Sequence, residues 1–155
     1  MKPLFNPAPK LEMLDFVSLM MRLGVGGFML THGIPKFERY INGDLQFADP
    51  FGLGAEPSLL LVILAEVFCS VLIIIGLITR LATIPLMIVM ATAALIVHDA
   101  DPFNKKELAL MYLLGYVAIF LLGSGKFSVD YIITKAMEAK KKKRKSYKKS
   151  RPAKL

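Results

Sequence analysis

Three side chains that can exchange protons stand inside strongly apolar stretches of the sequence. They are a histidine, a carboxylic acid and a phenol: His32, Glu66 and Tyr112. Such groups can pass protons to and from a bound molecule, which is general acid–base chemistry. We therefore predict that Glu66, His32 and Tyr112 are catalytic, and that polar residues at the ends of the same stretches bind a substrate: Lys36, His98 and Asp99. The alternative interpretation is a structural pair between Glu66 and either Lys36 or His32.

A second group combines two arginines with two aspartates near the opposite ends of the apolar stretches: Asp15, Arg22, Arg80 and Asp130. The planar guanidinium of arginine matches a carboxylate with two parallel hydrogen bonds. An unpaired buried charge is far more costly than a paired one. We interpret this group as a structural ion network.

Metal and haem sites find little support in the sequence. Cys69 is the single cysteine, which excludes an intramolecular disulfide, a CxxC pair and a zinc site built on several thiolates. A haem between His32 and His98 is disfavoured because His98 stands at the very end of its apolar stretch. Glu66 with both histidines would suit the ligand rules for a metal, but no spacing motif supports it. We assign no metal site.

The apolar residues divide the chain into four blocks. The 155 residues are 55% hydrophobic with a mean hydropathy of +0.53, more apolar than is usual for a soluble domain. Because a membrane span needs about 20 mostly apolar residues, we predict an all-α membrane protein, a bundle of four transmembrane helices. The spans are expected near residues 16–34, 58–79, 81–97 and 108–125. The short third block could alternatively be a buried helix of a soluble protein.

The remaining segments define the predicted organisation of the chain. The outer loop, residues 35–57, is opened by Pro35 and closed by Pro57. Its stretch 47–54 is too apolar for a free loop, so we predict an interfacial or re-entrant segment over the mouth of the bundle. We expect three parts in all: an N-terminal segment 1–13, a membrane domain 14–131 and a basic tail 132–155.

Basic residues indicate the orientation of the spans. Four spans put both termini, and with them the basic tail, on one side of the predicted membrane. On the other side, acidic residues outnumber lysine and arginine. Lysine and arginine favour the cytoplasmic side. We therefore predict that both the N-terminus and the C-terminus lie in the cytoplasm.

The tail has a charge pattern of its own. Residues 135–155 contain eleven Lys and Arg residues and one acidic residue, Glu138. A polybasic segment beside a membrane helix usually binds anionic lipid headgroups. Nucleic-acid binding is disfavoured because Tyr147 is the only aromatic residue interleaved with these cations. We expect the bilayer and its anionic headgroups to be the partners of the tail.

Several short motifs resemble the DoxX family of small four-helix bacterial membrane proteins. The resemblance covers about residues 15–131 and rests on these pieces in this order: Arg22-Leu-Gly24, His32-Gly-Ile-Pro-Lys36-Phe37, Glu66, Gly76-Leu-Ile-Thr-Arg80, Met90 to His98, and Gly123-Ser-Gly-Lys-Phe-Ser-Val-Asp130. It implies a relation to membrane subunits of a thiosulfate:quinone oxidoreductase. Other members are linked to a membrane oxidoreductase complex for thiol and oxidative stress, alongside a superoxide dismutase and a sulfurtransferase. No agreed catalytic residues come with the resemblance.

Residues and resemblance together predict a quinone-linked redox protein, or an oxidoreductase subunit, of the bacterial inner membrane. Its substrate would be a small sulfur or thiol compound, or its role would lie in oxidative-stress defence. A lone Cys69 cannot cycle a dithiol, so thiol oxidation would need a partner. We expect a redox partner protein or a homo-oligomer. The alternative is a non-catalytic membrane subunit that anchors partners. A small-molecule transporter comes third, since four helices without an internal repeat leave little room for alternating access.

Overall fold

The computed structural model describes residues 10–150, with side chains through Arg144, and these residues form five helices and no strand. The helices are α1 (Leu11–Ile41), α2 (Ala55–Ile75), α3 (Thr79–Val97), α4 (Phe103–Leu122) and α5 (Val129–Ser150). The predicted all-helical class is confirmed. Residues 1–9 of the predicted N-terminal segment and residues 151–155 of the predicted tail lie outside the described part.

Helices α1 to α4 pack into one bundle. Helix α1 contacts α2 and α4, and α3 contacts the same two helices, which closes a ring. The buried centre draws on all four helices: Met29, Ile73, Leu86, Tyr116 and Ile119. Large apolar side chains are exposed around the outside, among them Phe28, Phe68, Leu95 and Leu121. A soluble monomer rarely exposes so much apolar surface, whereas a bundle in lipid does.

Three helices among the described residues are long and apolar enough to cross a membrane: α1, α2 and α3. Helix α4, predicted as the fourth span, is not apolar enough over its length to meet the same criterion. Its 20 residues suffice in length, but the first turn carries Lys105, Lys106 and Glu107. Its apolar run therefore covers only residues 108–122, and the helix ends at Gly123, whose φ of 76° is left-handed.

The outer loop is shorter than the sequence predicts. Helix α1 continues through Pro35 to Ile41, so the predicted loop start at residue 35 is corrected to residue 42. Membrane helices tolerate an internal proline because neighbouring groups satisfy the freed carbonyl. Pro57 lies in the first turn of α2, where the missing N–H costs no helical hydrogen bond. The loop is therefore residues 42–54. We call this end of the bundle the outer end, and the end near residues 76–78 and 123–128 the inner end.

Two of the helices change their winding towards the outer end. Residues Leu64–Cys69 of α2 and Ala93–Val97 of α3 form π-helical turns. Such turns are rare and occur frequently at functional sites. The turn in α2 contains Glu66 and packs against α1 and α3.

Candidate functional site

The outer end holds a buried ion pair. Both carboxylate oxygens of Glu66 lie 2.6 Å from Nζ of Lys36. The Glu66 side chain is 3% exposed and that of Lys36 is 27% exposed. The two helices can meet here because Gly33 has no side chain: a Cβ at Gly33 would lie 2.8 Å from Cγ2 of Val67 and 3.0 Å from Cβ of Glu66. The structure thus forms one of the two structural pairs that the sequence left open.

A row of rings runs from this pair into the bundle. His32 meets Tyr112 edge to face, with ring centroids 5.6 Å apart. Tyr112 stacks on Tyr116 at 6.3 Å and an interplanar angle of 21°. Tyr116 is fully buried, and neither its hydroxyl nor that of buried Ser70 has a hydrogen-bond partner among the described residues. Buried hydroxyls of this kind commonly bind an internal water.

A polar cavity of about 170 Å³ collects five of the predicted site residues. Its wall contains all three predicted catalytic residues and two of the three predicted binding residues: His32, Glu66, Tyr112, Lys36 and His98. Lys105 also lines it. Residues from α1, α2, α4 and the end of α3 thus converge on one space, and the group can exchange protons with a ligand or water inside it.

An apolar cavity of about 360 Å³ lies on the other side of the ion pair. Its wall is built mostly of carbon from α2, α3 and the outer loop: Phe47, Phe51, Leu53, Val62, Ile88 and Val97. Lys36, Glu66 and His98 line both cavities. The pair therefore separates an apolar space from a polar one.

Asp49 fixes the outer loop over the apolar cavity. Its carboxylate accepts hydrogen bonds from the backbone N–H groups of Leu53 and Gly54 and from the hydroxyl of Ser58. These bonds, that from Gly54 first, hold the pKa of Asp49 below its usual value. The loop is thereby tied to the first turn of α2.

His98 is held in place by a partner that sequence reasoning missed. Asp101 accepts from Nδ1 of His98 at 2.8 Å and from Nζ of Lys105 at 3.1 Å. These two contacts, that of His98 first, lower the pKa of Asp101. The only signal in the sequence is spacing, since residues three and four apart can meet on one face or turn.

Asp99 stands apart from the other predicted binding residues. Its side chain is 82% exposed and lies 3.9 Å from Nζ of Lys106. It lines neither of the two outer cavities. The chain turns between α3 and α4 here, which directs the Asp99 carboxylate towards solvent.

The predicted inner ion network has different partners in the structure. Arg22 is fully buried and donates to the carbonyls of Ile73, Ile74 and Phe127. Arg80 donates to the carbonyl of Leu121 at 3.5 Å. Among the described residues, neither arginine lies within salt-bridge distance of Asp15 or Asp130. The arginines thus bind backbone carbonyls near the ends of α2 and α4 and in the segment before α5, in place of carboxylates.

The two aspartates of that network also bind elsewhere. Asp15 pairs with Nζ of Lys126 at 3.0 Å. Asp130 accepts from the backbone N–H of Ile78 and from both the N–H and the hydroxyl of Thr79. It thereby caps the start of α3 from a distant part of the chain, which is an N-cap role.

The part of the chain that the structure describes contains no cluster of three or more His, Cys, Asp or Glu residues suited to a metal ion. His32, Glu66 and His98 share the polar cavity, but Lys36 occupies both carboxylate oxygens of Glu66. An ammonium group in that position repels a cation.

Comparison with known proteins gives two matches. A family model described as DoxX matches residues 17–99, which include α2, α3 and most of α1. A protein of Haemophilus influenzae described as "Uncharacterized protein" is 30% identical over 117 residues, and the match covers 71% of this chain and 85% of that relative. No solved structure matches with significance. The family match contains Glu66 and His98 but ends before Tyr112.

Proposed function

The chain belongs to the DoxX family, and from this premise we propose that it is a quinone-linked redox protein, or an oxidoreductase subunit, of the bacterial inner membrane. Its second substrate is a small sulfur or thiol compound, or it serves oxidative-stress defence. One observation carries the proposal: a buried ion pair, Glu66 with Lys36, stands between an apolar and a polar cavity.

The apolar cavity suits the ring of a quinone. Its volume of about 360 Å³ falls in the range of small-molecule sites, which are mostly apolar with a few placed polar groups. A quinone ring is apolar except for its two carbonyl oxygens. Lys36 and His98 are the two hydrogen-bond donors of this wall that also line the polar cavity, and each could hold one of those oxygens.

The polar cavity supports the proton part of the reaction. Reduction of a quinone to a quinol takes up two electrons and two protons. The electrons come from the sulfur or thiol substrate, or from a redox partner protein. The protons come from water through the polar cavity, where His32, Glu66 and Tyr112 lie within one space. Lys36 touches both cavities, so it can donate to the quinone oxygen and regain a proton on the polar side.

The membrane topology is part of the proposal. We propose that α4 is a fourth span, because it packs along α1 and α3 and presents apolar side chains such as Leu114 and Leu121 on its uncovered face, as a helix in lipid does. Four spans would put both termini on the same side of the membrane, and the lysines and arginines of the tail favour the cytoplasm for that side, with membrane domain 14–131 and tail 132–155. In a Cys69→Ser background, a cysteine at Gln46 should react with an impermeant reagent from outside, and one at Lys142 only after permeabilisation. The reverse pattern contradicts the orientation.

Glu66→Gln tests the redox site. The change keeps the size of the side chain and one acceptor oxygen for Lys36 but removes its charge and its ability to carry a proton. We expect the variant to fold and insert while quinone-linked turnover falls at least about tenfold, equivalent to about 1.4 kcal/mol. Glu56→Gln, the same change at an exposed position of α2, is the control and should keep full turnover.

A non-catalytic anchoring subunit is the second candidate. It is favoured by the two 2.6 Å contacts that engage both oxygens of Glu66 with Lys36, as a purely structural pair would. Mass spectrometry of gently purified protein separates the two functions. A co-purifying quinone that is lost in Glu66→Gln supports the redox function, whereas a co-purifying protein without quinone supports anchoring.

A further inference from the structure

The first turns of α5 leave an apolar stripe uncovered. Val129, Ile132, Ile133, Ala136 and Met137 follow the spacing of one helical face. Ile132 is 67% exposed and Met137 is 58% exposed. Every residue from 132 to 144 is exposed, so no part of the described chain covers this face.

A basic turn follows the apolar stripe. Residues 140–144 are four lysines and an arginine, all exposed. Among the described residues, none of these side chains forms an ion pair. An apolar stripe combined with uncompensated positive charge is typical of helices that lie in the interface of an anionic membrane.

Asp130 fixes the first turn of α5, which we call its root, to the inner end of the bundle. Its carboxylate binds Ile78 and Thr79, and its backbone N–H donates to the carbonyl of Gly76 at 2.9 Å. The start of α5 is thereby fixed to the turn between α2 and α3, where the spans leave the hydrocarbon. The apolar stripe of α5 therefore begins at the depth of the lipid headgroups.

A cavity of about 480 Å³ opens beside this root. Polar groups line one part of it, namely Thr79, Arg80, Ser124 and Asp130. Exposed apolar side chains also line it: Ile78, Leu81 and Leu122. A wall with both polar and apolar groups matches a phospholipid, which joins a polar headgroup to acyl chains.

Arg80 supplies the charge of this cavity. Its guanidinium makes one long hydrogen bond, 3.5 Å to the carbonyl of Leu121, and pairs with no carboxylate in the described part of the chain. Most of its five donors are therefore available, and the guanidinium geometry matches a phosphate. The Asp130 carboxylate in the same wall is engaged by three donors at the start of α3.

We propose that the Arg80 cavity and α5 together form a binding site for anionic phospholipid of the surrounding bilayer. Arg80 binds the phosphate of one lipid, the apolar stripe of α5 enters the acyl region, and the basic turn lies on neighbouring headgroups. This site is separate from the redox site at the outer end, and the lipid proposal does not depend on the proposed redox function.

Native mass spectrometry tests the headgroup site. The full chain is released from nanodiscs of phosphatidylcholine mixed with phosphatidylglycerol, and retained phosphatidylglycerol is measured. We expect Arg80→Gln to lower its retention about fivefold, which corresponds to about 1 kcal/mol for one arginine at the surface. Arg39→Gln, an exposed arginine of the outer end, should leave retention unchanged. Equal retention in both variants contradicts the proposal.

Spin labels on α5 test its position even if Arg80→Gln fails to fold. In a Cys69→Ser background, labels at Ile133 and Met137 should be accessible to oxygen from the lipid, and labels at Thr134 and Glu138 to a water-soluble relaxation agent. The contrast should fade in phosphatidylcholine alone. Access of the water-soluble agent to all four labels with phosphatidylglycerol present overturns the proposal. The proposal also fails if the labels are protected from that agent only after an oligonucleotide is added, because the partner of α5 would then be a nucleic acid.

Discussion

The two ends of the bundle hold buried charge in different ways. At the inner end, Arg22 and Asp130 bind mainly backbone groups at the ends of α2 and α3. At the outer end, Glu66 binds a side chain, Lys36, and both face cavities. Charges that complete helix ends are part of the scaffold. Glu66 and Lys36 instead bind each other and border both outer cavities, which is why we place the redox function at the outer end.

The largest effect on stability is expected at Arg22. Arg22→Met keeps the apolar stem but leaves the carbonyls of Ile73, Ile74 and Phe127 without these donors in a buried place. The carbonyl of Ile73 keeps the N–H of Gly76 at 3.1 Å, so two carbonyls are left without a partner. Each such group costs about 1–3 kcal/mol, so we expect a loss of about 2–6 kcal/mol in the free energy of unfolding. Thermal unfolding in nanodiscs measures it. Arg39→Met, at an exposed site, is the control and should change the free energy of unfolding little. Equal losses in the two variants would mean that Arg22 is no more important to the scaffold than an exposed arginine.

The sequence was sufficient to predict the helical class, and it singled out polar residues that lie together in the structure. Apolar blocks mark the spans, and the rarity of ionisable residues within them singles out Glu66, His32 and Tyr112. Five of the six predicted outer residues line one cavity. The partners of Arg22 and Asp130 were not predictable, because carbonyl and N–H groups occur at every residue and leave no mark in the sequence. For the same reason, nothing in the sequence marks the π-helical turns beside Glu66.

Gly33 allows a prediction that links packing to the outer site. A Cβ there would lie 3.1 Å from the backbone carbon of Glu66 as well as against Val67, so α1 and α2 would have to separate. We expect Gly33→Ala to cost about 1–3 kcal/mol and to weaken the Lys36 pair, lowering quinone-linked turnover. Gly27→Ala is the matched control, since a Cβ at Gly27 has no atom within 4 Å. Equal stability of both variants would mean that α1 and α2 adjust freely.

Replacing both members of the outer pair tests whether the pair stabilises the fold or serves the redox site. Lys36→Met combined with Glu66→Leu removes both charges, so no buried charge is left alone. Such a replacement is often neutral or stabilising, by up to about 4 kcal/mol. We expect unfolding at an unchanged or higher temperature together with loss of quinone-linked turnover. A clear loss of stability in the double variant would show that the pair belongs to the scaffold, as Arg22 does.

The smallest effect is expected at Asp101, and it depends on pH. The hydrogen bonds from His98 and Lys105 hold the pKa of Asp101 below its usual value, so folding favours its ionised form. Its stabilising contribution is therefore complete above the unfolded-state pKa of about 3.9 and is lost as the pH falls through the lower folded-state pKa. Asp101→Asn should lower the unfolding temperature slightly near neutral pH, and the difference from the unmodified protein should vanish in acid. Asp99→Asn, at the 82% exposed neighbour, serves as the control. The difference in unfolding temperature for Asp101→Asn could instead stay constant down to strongly acidic pH. The contacts of Asp101 with His98 and Lys105 would then not depend on the carboxylate charge. In that case the backbone of the turn alone would position His98.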